Sequence, residues 1–547
     1  MNSRLEKIAK FILKRSYLQY LAVLFLFFAI FAFIQFSSPN LAGTDAYYHI
    51  KHAYLIRVEG FSAVTNFPWI SYSIINKYPV DFCFFYHILL IPFTYLGLIT
   101  GLKIAGALFS SLIFVVFFFV LRQLKIKYAF LWTLVLFGFS SSFVFRLILA
   151  RDFILSISFF LLGLVFLLKK KRWGIFIVSF FYALTYVGCP FLLAVILLYT
   201  LVVWIFKKKI DLRNFAISFS GMALAFLVRP DFPNNLRILF YQDVMPFLNM
   251  FKGLSLPVGA ELSSGYSLNQ IDIMRGASYL LSAFFFIFLF SQKKRKTPLF
   301  IKTFFLFSLF IVLLLITFIS GRFIEYLAPL SLLLMAFIFE NYLRPVLPDI
   351  IKLLKERKYD LFKYGKLCAS FLILSIILAP GIINFRNSLT NMKGRTPLTV
   401  YKEVANFLKE NTQKEEVVFN INWADFPLLF FYNDYNAYTI GMDPNFLYLY
   451  NKELYWQWFG IGWQGIVCQN KEECFKRNYC AIDDDREIAY LIKNNFKSKY
   501  IFINTQNHFS PEPKLFMHIN TLLKGSSYFE KVFQGREQQT VKIFKIL

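Results

Sequence analysis

Charge is scarce in this chain: Asp, Glu, Lys and Arg make up only 17% of its 547 residues. A soluble protein of this length would divide into three or four domains, each with a polar surface. Hydrophobic residues reach 57%, with 71 Phe, and the mean hydropathy is +0.54. Soluble domains have too little interior for that much apolar side chain, and a disordered chain would be polar. Internal repeats, Gly/Ser linkers and low-complexity tracts are missing, and so is a close cysteine pair of the kind zinc sites use. No acid stands in the middle of an apolar run, where a proton or ion relay would need one. The net charge of +27 is not gathered on one face, which argues against a nucleic-acid partner.

What is present is a series of long apolar runs. Windows of about 19 residues predict eleven membrane spans, at 17–36, 103–121, 128–145, 153–168, 173–188, 190–206, 214–228, 276–291, 300–319, 323–340 and 367–384. The segment 82–99 is apolar too, but it carries His87 and Pro92 beside Asp81 and is read as a membrane-surface or re-entrant helix. The loops alternate in charge. Stretches 1–16, 122–127, 169–172, 207–213, 292–302 and 340–366 hold 28 Lys and Arg against six acids. Under the positive-inside rule these face the cytoplasm, with the amino terminus inside and the carboxyl-terminal tail outside. Counting 82–99 as a full crossing would put RQLKIK (122–127) outside and break the alternation. The first span follows a basic segment but ends in FSSPN without a small-x-small cleavage site, so an uncleaved anchor is expected.

The predicted fold class is therefore a polytopic α-helical membrane protein with about eleven spans and an exported α/β domain. Residues 1–385 form the membrane domain, with long external loops at 37–102 and 229–275, and residues 386–547 form the exported domain. The chain is placed in a plasma or inner membrane, in contact with membrane lipids. In the tail, helical periodicity covers 396–411 and 483–495, and buried strands are expected at 415–423 and 499–504. Cys468, Cys474 and Cys480 are separated by five residues each, and an exported face permits a disulfide, with Cys468–Cys474 the expected pair.

The few ionisable groups within or beside the spans carry the chemistry. Asp45, His49, Arg146, Arg151, Asp152, Arg322 and Glu325 all fall at the outer membrane edge on this topology. Charges at such depth are costly and mark sites or pathways, unless they snorkel or cap helices. Asp45, His49 and His52 follow an i, i+4, i+7 spacing that puts them on one helical face. One carboxylate and two imidazoles can bind a divalent metal or handle a proton.

GTDAYYHIKHA resembles the first external loop of GT-C membrane glycosyltransferases, especially the catalytic subunits of oligosaccharyltransferases. Asp45, Tyr47, Tyr48, His49 and Lys51 match its pattern. FRLILARDF resembles the second acidic motif and offers Asp152, although that motif usually has two acids. GRFIEYLAP resembles the Arg-aromatic-Pro pattern before a late span and offers Arg322, with Arg151 a second phosphate-binding candidate. NINWADFPLLFFYNDYNAYTIGMDP resembles the Trp- and Asp-containing motif of the exported domain, offering Trp423 and Asp425, with Asp443 following. The family's motif has two adjacent Trp and a Tyr-Gly after the Asp, whereas this chain reads Asn422-Trp423-Ala424-Asp425-Phe426-Pro427. Glu261, in the loop 229–267, stands where the family has a mobile-loop acid.

The resemblance implies transfer of a sugar or oligosaccharide from a polyprenyl-phosphate-linked donor to a protein or lipid acceptor. Asp45, Asp152 and Glu261 are the implied catalytic acids; Arg322 and Arg151 bind the donor phosphate; Trp423, Asp425 and Asp443 bind the acceptor. Asp45, Asp152 and His49 are the implied ligands of Mg²⁺ or Mn²⁺, which hard oxygen donors favour, although metal-independent members exist. Oligosaccharide transfer to Asn and protein O-glycosylation are both open. A lipid-linked sugar flippase would instead place polar residues through the mid-membrane, and an assembly or receptor protein would carry the exported domain without catalysis.

Overall fold

A computed structural model describes residues 16–245, 297–346, 348, 379–393, 398–464, 467–468, 481–482, 485–505, 513–535 and 540–547. Contacts divide the chain into two compact units, one drawn from residues 1–39, 103–228 and 261–394, the other from 40–102, 229–260 and 395–547.

The first unit is helical because its apolar runs can satisfy their backbone only internally once in lipid. Its helices are Ser16–Phe36, Leu98–Gln123 (which starts in the second unit), Ala129–Phe139, Ser141–Leu147, Phe153–Leu168, Arg172–Thr185, Pro190–Lys207, Arg213–Val228, Pro298–Ile319 and Ile324–Ile338. They coincide with nine of the eleven predicted spans; 276–291 and most of 367–384 lie outside the described residues. Among the described residues five stretches are long and apolar enough to cross a membrane, or six with one bent pair. Phe153–Leu168, Arg172–Thr185 and Arg213–Val228 have 16, 14 and 16 residues. At about 1.5 Å per residue they fall short of a hydrocarbon core of about 30 Å, so a crossing there requires local thinning.

The predicted continuous span 128–145 is in fact two helices bent by 91°. Ser140 is the cause. Its backbone is extended (φ −149°, ψ 125°), and its Oγ accepts the Phe143 N–H at 3.2 Å, starting a new helix. Phenylalanine supplies the packing: Phe27 stacks on Phe114 at 3.8 Å between ring centroids, with Phe31 and Phe137 closing the cluster. Buried Lys103 donates to the carbonyls of Ser38 and Pro39, neutralising the exit of the first helix. Helix Phe84–Thr94 has 11 residues, too short to cross a bilayer.

The second unit contains the strands β1 (Val417–Asn420), β2 (Ala437–Tyr438), β3 (Val467–Cys468), β4 (Ala481–Ile482), β5 (Ser498–Asn504), β6 (Phe529–Gln534) and β7 (Val541–Ile546). A five-stranded sheet runs β2-β1-β5-β7-β6, parallel across β2-β1-β5 and antiparallel beyond, while β3 and β4 pair antiparallel separately. Helices Leu398–Asn411 and Asp485–Asn494 fall where periodicity predicts them. β1 ends sooner than the predicted 415–423. The Asn420 side chain bonds the Ile440 backbone (2.8 and 3.1 Å), and Asn422 Oδ1 accepts the Ala424 N–H (3.0 Å), turning the chain into a 3₁₀ turn at Trp423–Asp425. The expected Cys468–Cys474 pair involves Cys474, outside the described residues.

Residues 40–102 pack with this sheet. Tyr438 exchanges backbone hydrogen bonds with Trp69 (2.9 Å) and Ser71 (3.0 Å), and Trp69 Nε1 donates to the Asp434 carbonyl at 2.9 Å. Helix Asp45–Glu59 lies against Phe426–Tyr432, with Tyr47 edge-on to Phe431 at 5.4 Å.

Candidate active-site residues and a buried His–Asp cluster

Asp45 heads helix Asp45–Glu59, where the positive end of the helix dipole favours a carboxylate; Thr44 Oγ1 donates to it at 3.4 Å. His49 and His52 follow on the face the spacing predicts. Helix Phe84–Thr94 packs against this helix, and a second set of groups enters with it. Asp81 Oδ2 accepts from His87 Nδ1 at 2.7 Å, His87 Nε2 lies 2.9 Å from His49 Nδ1, and His52 Nε2 lies 3.6 Å from Asp81 Oδ2. Two of the chain's five histidines therefore meet one buried carboxylate, and His49 joins them through His87.

The carboxylate is held firmly. Asp81 Oδ1 accepts the Cys83 N–H (3.0 Å), and its own N–H donates to Asp231 Oδ2 (3.1 Å). Arg229 pairs with Asp231 at 2.6 Å and donates to the Asp81 carbonyl. Burial alone would raise the Asp81 carboxyl, but His87, His52 and Arg229 outweigh it and hold it well below the usual range. Burial pushes His52 down to about 4 despite the attraction of Asp81, so its imidazole is neutral near pH 7. On the same helix Lys51 pairs with Asp434 at 2.8 Å.

In the first unit, Asp152 stands buried before Phe153–Leu168, with Arg151 half-buried beside it. Arg322 lies in the short turn Gly321–Phe323, its guanidinium 5.5 Å from the Tyr186 ring centroid. Arg146 is engaged otherwise. Its Nε donates to Glu325 Oε1 at 2.6 Å, and its guanidinium packs on Phe153, with both partners buried. Ser156, Tyr326 and Tyr182 continue a buried hydroxyl chain at 2.7 and 3.1 Å.

The tail candidates sit deeper than their sequence suggests. Trp423 is 8% exposed and belongs to the aromatic core, its ring 6.5 Å from Trp458. Asp425 is buried and accepts the Tyr401 hydroxyl at 2.8 Å, while Asn504 donates to the same Tyr401 oxygen at 2.8 Å. Asp443 Oδ1 accepts the Asn445 N–H at 2.9 Å, ahead of helix Asn445–Tyr450. Glu261 lies outside the described residues.

No protein-family model and no curated protein matches the sequence. Solved structures do. The apo oligosaccharyltransferase of Archaeoglobus fulgidus aligns over 89% of this chain and 70% of its own, with a TM-score of 0.61 and 11% identity. ArnT from Cupriavidus metallidurans bound to undecaprenyl phosphate aligns over 96% of this chain and 97% of its own, with a TM-score of 0.53 and 12% identity. Its apo state gives a TM-score of 0.52, 11% identity and 96% coverage of each chain. The chain has a GT-C-like fold. The predicted class, a polytopic helical membrane protein with a carboxyl-terminal domain carrying a small sheet, is that of these GT-C neighbours.

Within the GT-C-like chain, the residues that sequence reading did not assign to the site are Asp81, His87, Arg229, Asp231, Tyr401 and Asn504. Asp81 and His87 were visible as polar interruptions of an apolar helix, which is the one local signal they leave.

Proposed function

We propose that the chain is a membrane glycosyltransferase that moves a sugar or oligosaccharide from a polyprenyl-phosphate-linked donor to a protein or lipid acceptor at the outer membrane face. The observation that carries this is the GT-C-like fold, shared over nearly the whole chain with an ArnT that holds undecaprenyl phosphate. A polar sugar on an apolar tail can meet its acceptor only at a membrane surface.

Attack by an acceptor oxygen or nitrogen on the anomeric carbon forms the new glycosidic bond. The old C–O bond breaks, and its electron pair leaves with the phosphate. The acceptor proton passes to a carboxylate, a role for Asp45 or Glu261. Arg322, assisted by Arg151, stabilises the charge developing on the phosphate. A divalent ion, Mg²⁺ or Mn²⁺, would supply further charge there, with Asp45 and Asp152 as its proposed ligands. The better superposition on an oligosaccharyltransferase, with a TM-score of 0.61, supports oligosaccharide transfer to Asn as the second reading.

Trp423, Asp425 and Asp443 are the proposed acceptor groups. Removing a hydrogen bond to a polar acceptor group costs about 0.5–1.5 kcal/mol, and up to about 3 with a charged partner. Asp425→Ala is therefore expected to weaken acceptor binding several-fold to a hundredfold while donor binding stays nearly unchanged. Separate titrations of donor and acceptor check it; equal losses in both would assign Asp425 to supporting Tyr401 alone.

Mass spectrometry of surface proteins and glycolipids from cells with and without the chain tests the function: one glycoform class should vanish with it. A reporter fused after residue 390 should be active only where exported. Activity in the cytoplasm would put the proposed acids on the wrong face.

A further inference from the structure

His52, Asp81 and His87 are 1%, 0% and 0% exposed, and each offers a ligand atom within 4.8 Å of the other two. All three lie in one compact unit, on helix Asp45–Glu59, just before helix Phe84–Thr94, and within it. Neither ring nitrogen of His52 has a hydrogen bond, although both are buried. A buried imidazole in that state costs free energy unless a ligand meets it.

We propose that His52 Nε2, His87 Nδ1 and the Asp81 carboxylate bind a transition-metal dication of the zinc class, with a water completing the shell. Ligand atoms about 2.0–2.1 Å from a tetrahedral ion stand ~3.3 Å apart. The Asp81 Oδ2–His52 Nε2 separation of 3.6 Å is already close to that. The 2.7 Å contact between Asp81 Oδ2 and His87 Nδ1 opens by about half an ångström as the ion replaces the shared proton, which leaves to solvent.

The surroundings suit this assignment. A metal-bound imidazole needs a partner for its other ring nitrogen, to fix tautomer and orientation. His87 Nε2 lies 2.9 Å from His49 Nδ1 and would donate to it. Sequence reading makes His49 a ligand; here it is the acceptor that orients one. The Arg229–Asp231 pair fixes the backbone of Asp81. Two imidazoles and one carboxylate favour zinc-class ions over Mg²⁺. The ion would clamp the helix that Asp45 heads onto helix Phe84–Thr94. This rests on geometry of its own and stands apart from the transferase reading.

The test uses the purified full chain in detergent, stripped with a chelator and titrated with Zn²⁺ and, for its visible absorption, Co²⁺. One tight equivalent is expected, with cobalt bands of a low-coordinate nitrogen–oxygen site. His52→Gln and His87→Gln should each weaken it by at least about 100-fold, whereas Asp45→Asn should retain it. No tight equivalent in the wild-type chain, or undiminished binding in the His variants, would overturn the assignment. Should the variants fail to fold, the wild-type melting temperature decides: a rise with Zn²⁺ and not with Mg²⁺ supports the site, and no zinc-specific rise refutes it.

Discussion

Asp45→Asn and Asp152→Asn are each expected to lower sugar transfer by about 10²- to 10⁴-fold, the range for a lost catalytic acid or base, while the chain still inserts and folds. Asparagine keeps the size of each side chain but has no charge to hold a dication or accept a proton. Asp45 heads its helix and is half-buried; Asp152 precedes Phe153–Leu168. Asn is an equally good residue for a helix start, so stability should change little. A capping role therefore predicts near-normal turnover, and a catalytic role predicts its collapse. Initial rates with excess donor, beside melting curves of the same preparations, separate the two. Near-normal rates in both variants would leave the charge-stabilising role of these acids without support.

The second large effect is expected in stability. Arg146 and Glu325 come from different helices, are both buried, and are joined by a 2.6 Å hydrogen bond. Removing one partner strands the other charge in a low-dielectric interior, and such cuts cost about 3–5 kcal/mol. Glu325→Leu and Arg146→Met should each destabilise the chain by that amount. The double variant Arg146→Met/Glu325→Leu should recover most of the loss, because apolar side chains of similar volume often replace a buried pair at no net cost. Chemical denaturation in detergent, analysed as a double-mutant cycle, gives the coupling. Additive losses would mean that the pair contributes nothing as a pair.

This pair also shows where sequence reading reaches its limit. Arg146 and Glu325 stood out in the sequence as charges within or beside spans. Their mutual engagement is tertiary: the two residues are 179 apart in sequence, and no periodicity carries information over that distance. The His–Asp cluster is similar. His49 and His52 were legible as one helical face, but His87 is 38 residues beyond His49 and on another helix. Spans were legible because hydropathy is a local property averaged over many residues. The bend at Ser140 was not, because a single side-chain hydrogen bond decides it. In the tail, alternation of helix and strand was readable, whereas burial of Asp425 was not. A carboxylate at a strand end reads as a ligand, and the approach of Tyr401, whose hydroxyl oxygen also accepts from Asn504, gives it an internal partner.

The central claim is transfer from a polyprenyl-linked donor. Its most direct test is the purified chain in proteoliposomes, supplied with a radiolabelled polyprenyl-phosphate sugar and a mixture of candidate acceptor peptides and lipids. The account expects label to move to an acceptor and free polyprenyl phosphate to appear in equal amount, both strongly reduced in Asp45→Asn. Label that crosses the bilayer still attached to its polyprenyl carrier, with no acceptor modified, would contradict the account and identify a transporter.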